Sequence, residues 1–222
     1  MKKRIIQINL FTLALLALIS CKNTENEAET GEAQAVAEAS EMSVTFNVNT
    51  ENSVIKWSGS KPTGTHTGTV MLSDGAVTVK DGKIEAGKFT IDMNTITDTD
   101  LEGGMKDNLE AHLKGTAEGK EGDFFNVNEF PTATFELTGI QEVDGKTMME
   151  GNLTLKGTTN HISFPATVKV GEDSVGIESE TFSIDRTKWG VNFGSKSVFD
   201  NLGDKFINDN IDLTFVLMAK KN

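Results

Sequence analysis

The stretch 162–170, Ile-Ser-Phe-Pro-Ala-Thr-Val-Lys-Val, decides the fold, because every second residue is apolar over its whole length. This alternation is typical of a β-strand that packs one face on a core and turns the other to solvent. The same period recurs along the chain, most clearly in 44–48, 89–93, 133–137 and 211–217. The pattern predicts an all-β domain.

Turn signals separate these strands. Asp74-Gly75, Asp81-Gly82 and Asp144-Gly145 are hairpin dipeptides, since aspartate tolerates a positive φ and glycine has no Cβ. Residues 100–114 alone lose the period of two and space their apolar residues as in a helix. An open sheet of many strands exposes unpaired edge strands, whereas a sheet that closes into a barrel has none. We therefore expect an extended antiparallel β-barrel of about eight strands with one or two short helices.

Composition limits the class of protein. Of 222 residues, 21 are glycine, 13 are phenylalanine and none is tyrosine, and the formal net charge is −12. Such an acidic surface repels phosphate backbones, so we expect no nucleic-acid partner. Residues 42–222 show no shift in composition and have the size of one domain. The sequence carries no signal for an oligomeric state.

The N-terminus has the features of a removed leader. Lys2, Lys3 and Arg4 precede an apolar run over 10–19, which is too short to span a bilayer as a helix. Ser20 and then Cys21, the only cysteine, end the run and resemble a bacterial lipoprotein signal, in which the cysteine is acylated. The alternative is an ordinary exported protein with a spare thiol. We predict a signal peptide over 1–20 and lipidation at Cys21.

Residues 21–41 are rich in Glu, Ala and Thr and have almost nothing to bury. They predict a lipidated N-terminus followed by a disordered acidic tether; an Ala/Glu-rich helix over 32–41 is the alternative. In either case the segment separates a lipid anchor from the domain.

Seven segments, in order, resemble the YceI-like family, and together they cover essentially all of 42–220. They are Trp57-Ser-Gly-Ser-Lys-Pro-Thr-Gly-Thr-His66-Thr-Gly68, Phe89-Thr-Ile-Asp92-Met-Asn, Leu109-Glu-Ala-His112-Leu113, Asp123-Phe124-Phe125, Phe130-Pro131-Thr-Ala133-Thr-Phe135, Gly151-Asn-Leu-Thr-Leu155-Lys156-Gly157 and Phe182-Ser-Ile-Asp185-Arg186-Thr-Lys-Trp189-Gly190. The resemblance implies a lipocalin-like barrel whose long apolar cavity holds a polyisoprenoid or similar lipid. The chain departs from the family in a Gly-rich insertion over 115–122, predicted to be an exposed loop, and in a compressed region around His66.

Polar residues give no catalytic pattern. The three histidines, at positions 66, 112 and 161, have neither the spacing of a metal-binding helix nor a nearby cysteine, so we expect structural roles and no metal site. Asp92, Asp123 and Asp185 adjoin turns or strand ends, where aspartate caps backbone N–H groups. We therefore expect no enzyme and no cofactor apart from a bound lipid.

The inward-facing apolar residues either fill the barrel or line a cavity, and the resemblance favours a cavity. The lining residues chosen by alternation are Phe46, Trp57, Phe89, Ile91, Phe135, Leu153, Phe164, Phe182 and Phe215. Candidates for the mouth or for a lipid head group are His66, His112, Arg186, Lys188 and Trp189. For Arg186, Lys188 and Trp189 the alternative is a surface arrangement of Asp185 and Arg186, with Trp189 packed at the barrel end.

These observations lead to one functional hypothesis with two rivals. The chain is expected to be a lipoprotein of a bacterial envelope, on the periplasmic side of the outer membrane or at the cell surface. It would carry, scavenge or store a long-chain apolar lipid or isoprenoid. One rival is a non-catalytic structural or interaction protein with a filled barrel core. The other is an isoprenoid-modifying enzyme, for which the sequence offers no titratable residue in a suitable place.

Overall fold

The computed structural model describes residues 26–221, so the predicted signal peptide and Cys21 lie outside the described residues. One helix, α1, spans Gly103–Lys114. The strands are β1 Glu29–Glu32, β2 Val44–Val48, β3 Val54–Lys61, β4 Gly64–Lys80, β5 Lys83–Asp98, β6 Thr132–Val143, β7 Lys146–Leu155, β8 Thr158–Val170, β9 Ser174–Ser179, β10 Phe182–Asp185 and β11 Asn210–Lys221.

Eight of these strands form a closed antiparallel ring. From β3 to β9, each strand pairs with the next one along the chain, and β9 pairs with β11. Strand β11 then pairs with β3, with Leu213 opposite Trp57, and this closes the ring. Two short strands extend the ring where a longer strand has ended: β2 continues β3 between β4 and β11, and β10 pairs with the part of β11 that precedes its pairing with β9. The predicted lipocalin-like barrel of about eight strands is confirmed.

Two of the three predicted hairpin dipeptides turn the chain. Asp81-Gly82 joins β4 to β5 and Asp144-Gly145 joins β6 to β7, and all four residues have positive φ, from 51° to 79°. The prediction for Asp74-Gly75 was wrong, because this dipeptide lies inside β4 at a register shift. A β-bulge there takes up the extra residue, so the strand continues.

The predicted helix is present as α1. It ends at Gly115, which has a φ of 71° and whose N–H bonds to the carbonyls of Ala111 and His112. The insertion that follows is largely exposed from residue 118 to 122, as expected for a surface loop. Among residues 26–221, no helix has the length and apolar character needed to span a membrane.

Residues 26–43, the N-terminal strap, are ordered along the barrel, and the prediction of a disordered tether was wrong from residue 26 onward. Strand β1 pairs with β8, and the carbonyl of Asn26 and the N–H of Ala28 bond to Ser183 of β10. The strap therefore fills the space between β8 and β10. The sequence did not indicate this order, because backbone hydrogen bonds to an open edge need no apolar side chains.

Farther along, the strap crosses the outside of the ring. Asn152 of β7 exchanges two hydrogen bonds with Gln34, at 2.9 and 2.7 Å, and the N–H of Ala37 donates to the carbonyl of Leu137 in β6. The strap then reaches β5, where Glu85 accepts from the hydroxyls of Ser43 and Ser40 and from the Ser40 N–H. It is fastened at both ends and along its length.

The Glu85 carboxylate should make this last fastening pH-dependent. Hydrogen bonds, first from the Ser43 hydroxyl and then from Ser40, lower the pKa of Glu85 from 4.5 to about 2. A lowered pKa stabilises the folded state above the unfolded-state value, so the benefit is complete above about pH 5, fades as pH falls from 4.5, and is gone below about 2. In urea titrations, Glu85→Gln should have a lower midpoint than wild type at pH 7, and the gap should close toward pH 2. Glu172→Gln, at an exposed bend, is the control; a gap that stays constant with pH would contradict this role.

Candidate functional site

The ring encloses a cavity of about 480 Å³. Its wall is mostly apolar and comes from inward-facing residues of β3 to β8, β10 and β11, together with residues of α1 and the loops beside it. This volume lies within the range of sites that hold small molecules. A barrel whose core is filled by its own side chains would leave no such space.

Aromatic rings form the centre of the wall. Phe164 stacks on Phe182 with centroids 4.3 Å apart, and it also contacts Phe135 and Phe215 at 5.6 and 5.5 Å. Phe135 in turn stacks on Phe89 at 6.3 Å. These ring contacts pack the phenylalanines against one another, and the cavity lies beside them.

The structure places every lining residue chosen by alternation at the cavity except Phe46. The others are Trp57, Phe89, Ile91, Phe135, Leu153, Phe164, Phe182 and Phe215. Phe46 is buried on β2, which continues the position of β3 between β4 and β11 at the end of the barrel away from the β3–β4 turn. The side chain therefore packs in the core beyond the cavity and does not line it.

One end of the cavity, here named the mouth, lies where β3 turns into β4 and β7 turns into β8. Helix α1 and the loops 115–131 and 186–209 add lining residues there that alternation had not indicated, among them Leu109, Leu113, Phe124, Phe193 and Ile207. Polar groups also line this end, namely Lys61, Lys205 and Asn208. Lys205 and Asn208 lie in a loop without a strand period, and Lys61 continues the inward period of β3, but a charged side chain at a strand end is usually solvated, so the sequence did not single these residues out.

His112 holds α1 against the loop that follows it. Its Nε2 lies 2.7 Å from Oδ2 of Asp123, and its ring makes edge contacts with Phe124 and Phe193 at 5.0 and 4.9 Å. The imidazole lines the cavity while its polar edge is occupied by the carboxylate. This arrangement agrees with a structural histidine.

The three predicted head-group residues at 186–189 do not act together. Arg186 lines the cavity but is buried, and its guanidinium donates to the carbonyls of Val191, Ile207 and Asn208. Burial lowers the pKa of this guanidinium, and Asp209 opposes that effect. Trp189 is fully buried behind the wall and donates from Nε1 to the carbonyl of Leu153. Lys188 lies outside the lining, with its Nζ 3.8 Å from Glu27 of the strap.

A head-group role for Lys188 and Trp189 is therefore wrong, and Arg186 has a different task. Its three carbonyl partners belong to the loop 190–209, so it fixes that loop beside the mouth. The sequence suggested a positive patch because it shows neighbouring charges but not which of them are enclosed by backbone carbonyls.

The remaining polar candidates have local structural partners. Asp92 accepts from Asn94 and Asp185 accepts from the N–H of Thr187, so both cap backbone groups as predicted. His161 lies within β8 and its Nε2 is 3.1 Å from the hydroxyl of Thr138. Neither carboxylate, nor His161, lines the cavity.

Comparison with known proteins gives consistent results. The profile of the YceI-like domain matches residues 46–219. BcnA of Burkholderia cenocepacia superposes with a TM-score of 0.58 at 22% identity, over 78% of this chain and 99% of that one. A polyisoprenoid-binding domain of Saccharophagus degradans, implicated in plant cell wall breakdown, superposes with a TM-score of 0.56 at 13% identity, over 81% of this chain and 99% of that one.

Curated relatives match over shorter stretches. A UPF0312 protein of Pseudomonas aeruginosa is 33% identical over 104 residues, which are 46% of this chain and 49% of the relative. A UPF0312 protein of Pseudomonas putida is 31% identical over 131 residues, 58% of this chain and 63% of the relative. The chain thus spans about half of the length of the first of these relatives.

Proposed function

The chain belongs to the YceI-like domain family, and from this membership and the apolar cavity we propose that it is an envelope lipoprotein that binds a polyisoprenoid or another long-chain apolar lipid. The observation that carries the proposal is the open, phenylalanine-walled space of about 480 Å³ inside a closed barrel. The name of the Saccharophagus degradans domain supports a polyisoprenoid as the ligand class.

The distribution of polar groups favours this ligand class. Apolar residues surround the body of the cavity, whereas Lys61, Lys205 and Asn208 lie at the mouth. A long apolar molecule would bury its chain inside at roughly 25 cal/mol per Å² and leave a polar end near these residues. Such binding needs few specific hydrogen bonds, so cavity length and mouth chemistry would set selectivity.

The same arrangement favours binding without turnover. His112 and Arg186, two titratable residues in the lining, are paired with a carboxylate or with backbone carbonyls. We propose a carrier, scavenger or store on the periplasmic side of the outer membrane or at the cell surface.

The test of this function is to purify the full chain from its native membrane, extract it with organic solvent, and identify the lipids by mass spectrometry. We expect a long-chain apolar lipid, chemically unchanged, in an amount approaching one molecule per barrel. Protein that carries no apolar molecule, and takes up none from polyisoprenol added in vesicles, would favour the interaction-protein alternative. A recovered product chemically altered from the added lipid would favour an enzyme.

Replacing Cys21 with serine should release the protein from the membrane. Acyl chains contribute about 0.8 kcal/mol per buried methylene, so anchoring by several chains is stable and its loss is large. Fractionation of cells that express the variant should move most of the protein from the membrane to the soluble fraction. Thr24→Ser in the same segment is the control and should stay with the membrane. Unchanged fractionation of Cys21→Ser would contradict the anchor.

A further inference from the structure

Three potential metal ligands meet at the mouth of the barrel. His66 lies near the start of β4, Asp98 ends β5, and Asp100 follows it two residues later. One nitrogen or oxygen atom of each lies within 4.8 Å of the others. The pairing of Gly68 with Asp98 brings these positions together, although they are far apart in the sequence. For this reason the spacing of histidines along the chain gave no indication of the cluster.

Asp98 has a free oxygen in this cluster. The residue is fully buried, and its Oδ1 accepts from the N–H groups of Asp100 and Leu101 at 3.2 and 2.7 Å. Its Oδ2 is buried without a hydrogen-bond partner. A buried unpaired carboxylate oxygen is costly, whereas a carboxylate with one oxygen fixed by backbone donors and the other free is typical of metal ligands.

The other two ligands are also held in place. Asp100 accepts from the N–H of Thr67 at 2.6 Å, and its second oxygen lies 3.0 Å from Nδ1 of His66. Two ligands of a tetrahedral zinc ion, each about 2.0 to 2.1 Å from the metal, are roughly 3.3 Å apart. The separation of His66 from Asp100 is therefore close to what coordination requires.

The charges around the cluster leave room for a cation. Glu110 of α1 accepts from the N–H of Asp98, so three carboxylates adjoin the site. Two ammonium groups, from Lys106 and Lys114, contact Glu110, and Lys106 also contacts the Asp98 carbonyl. Counting histidine as uncharged, the three carboxylates and two ammonium groups leave a net negative charge, which favours a cation.

We propose that His66, Asp98 and Asp100 form a binding site for a divalent transition-metal cation such as Zn²⁺. A nitrogen ligand beside two carboxylates suits zinc better than magnesium or calcium, which prefer oxygen alone. Three protein ligands leave a fourth position for water or another ligand. Because His66 lines the cavity, the cation would lie beside its mouth and would link the β3–β4 hairpin to the start of α1.

The chain contains a matched control in its other histidine–aspartate pair. His112 and Asp123 are as close as His66 and Asp100, but Lys120 lies 3.5 Å from the Asp123 carboxylate. Within residues 26–221, no third carboxylate or histidine completes a cluster there. Asp123→Asn should therefore leave the affinity for the cation unchanged.

The experiment uses the untagged full chain, stripped with a chelator and titrated calorimetrically with Zn²⁺. We expect one equivalent to bind, with His66→Ala and Asp98→Asn each weakening the affinity at least tenfold. The amide introduced by Asp98→Asn keeps an acceptor for the Asp100 and Leu101 N–H groups. The His66 side chain is 27% exposed and lies at the mouth, so it can be truncated without a cavity in the core. Cobalt substitution adds a spectroscopic readout, because His66→Ala should change the visible absorption of bound Co²⁺.

Zinc should also raise the melting temperature of the wild type, since a ligand that binds only the folded state stabilises it. This rise should be absent in His66→Ala and present in Asp123→Asn. The proposal is overturned if wild-type protein binds no Zn²⁺, binds Mg²⁺ equally well, or if His66→Ala binds Zn²⁺ as tightly as wild type.

Discussion

Gly68→Ala is expected to lower the free energy of unfolding by about 3 kcal/mol or more. An added Cβ would lie 2.0 Å from the carbonyl oxygen of Thr97 and 2.3 Å from the Trp57 ring. The carbonyl belongs to the neighbouring strand β5 and cannot move without disturbing the β4–β5 ladder, while Trp57 forms part of the cavity wall. Urea denaturation of the purified variant would show the loss as a lower midpoint.

Gly59→Ala is the matched control. Gly59 lies on the adjacent strand β3, and a Cβ there would meet no atom within 4 Å. The free energy of unfolding of the Gly59→Ala variant should stay within about 0.5 kcal/mol of that of the wild type, as for most substitutions without a steric consequence. Equal midpoints for the two variants would mean that the close packing of β4 on β5 and Trp57 is not as described.

Phe135→Glu should abolish retention of lipid. Phe135 lines the cavity between Phe89 and Phe164, and an ionised carboxylate there can be hydrated only while the cavity holds water. An apolar ligand would displace that water, and the free-energy cost of desolvating the carboxylate exceeds the gain from burying the ligand. We expect binding of a polyisoprenol, measured by extraction and mass spectrometry, to fall by about 100-fold or more, which corresponds to a loss of about 2.7 kcal/mol.

Phe135→Leu keeps the wall apolar and should keep most of the binding. Because a charge at Phe135 also threatens folding, Leu213→Glu serves as a second test at a partly exposed lining position. Circular dichroism must show a folded barrel for either glutamate variant. A folded variant with full lipid occupancy would refute the assignment of the cavity.

The strands and most of the cavity wall could be predicted from the sequence because both depend on a local period. Once a strand is part of the barrel, every second residue points inward, so alternation alone selects lining residues such as Phe89, Ile91, Phe164 and Phe182. Phe46 obeys the same alternation, but its strand lies at the end of the barrel away from the β3–β4 turn, beyond the cavity. How far along the barrel a strand lies depends on long-range pairing, which no local period indicates.

The mouth was less predictable for a related reason. Trp189 is packed, as the alternative to a head-group role expected, but Arg186 lies in neither a head-group patch nor a surface pair with Asp185. Both residues are enclosed by backbone from distant segments, including the Leu153 and Asn208 carbonyls. The strap likewise owes its order to β8 and β10 and not to its own composition. The side chains of residues 29–32 are mostly exposed, whereas their backbone pairs with β8.

The pairing of β3 with β11 has a consequence for the order of folding. These are the first and last strands of the ring, and their register runs from Gly59 opposite Ile211 to Val54 opposite Val216. Contacts between residues so distant in sequence form late, because a long loop must close before they are gained. A chain emerging from a ribosome or a membrane pore therefore has no closed barrel, and no enclosed cavity, until the whole of β11 is free to pair.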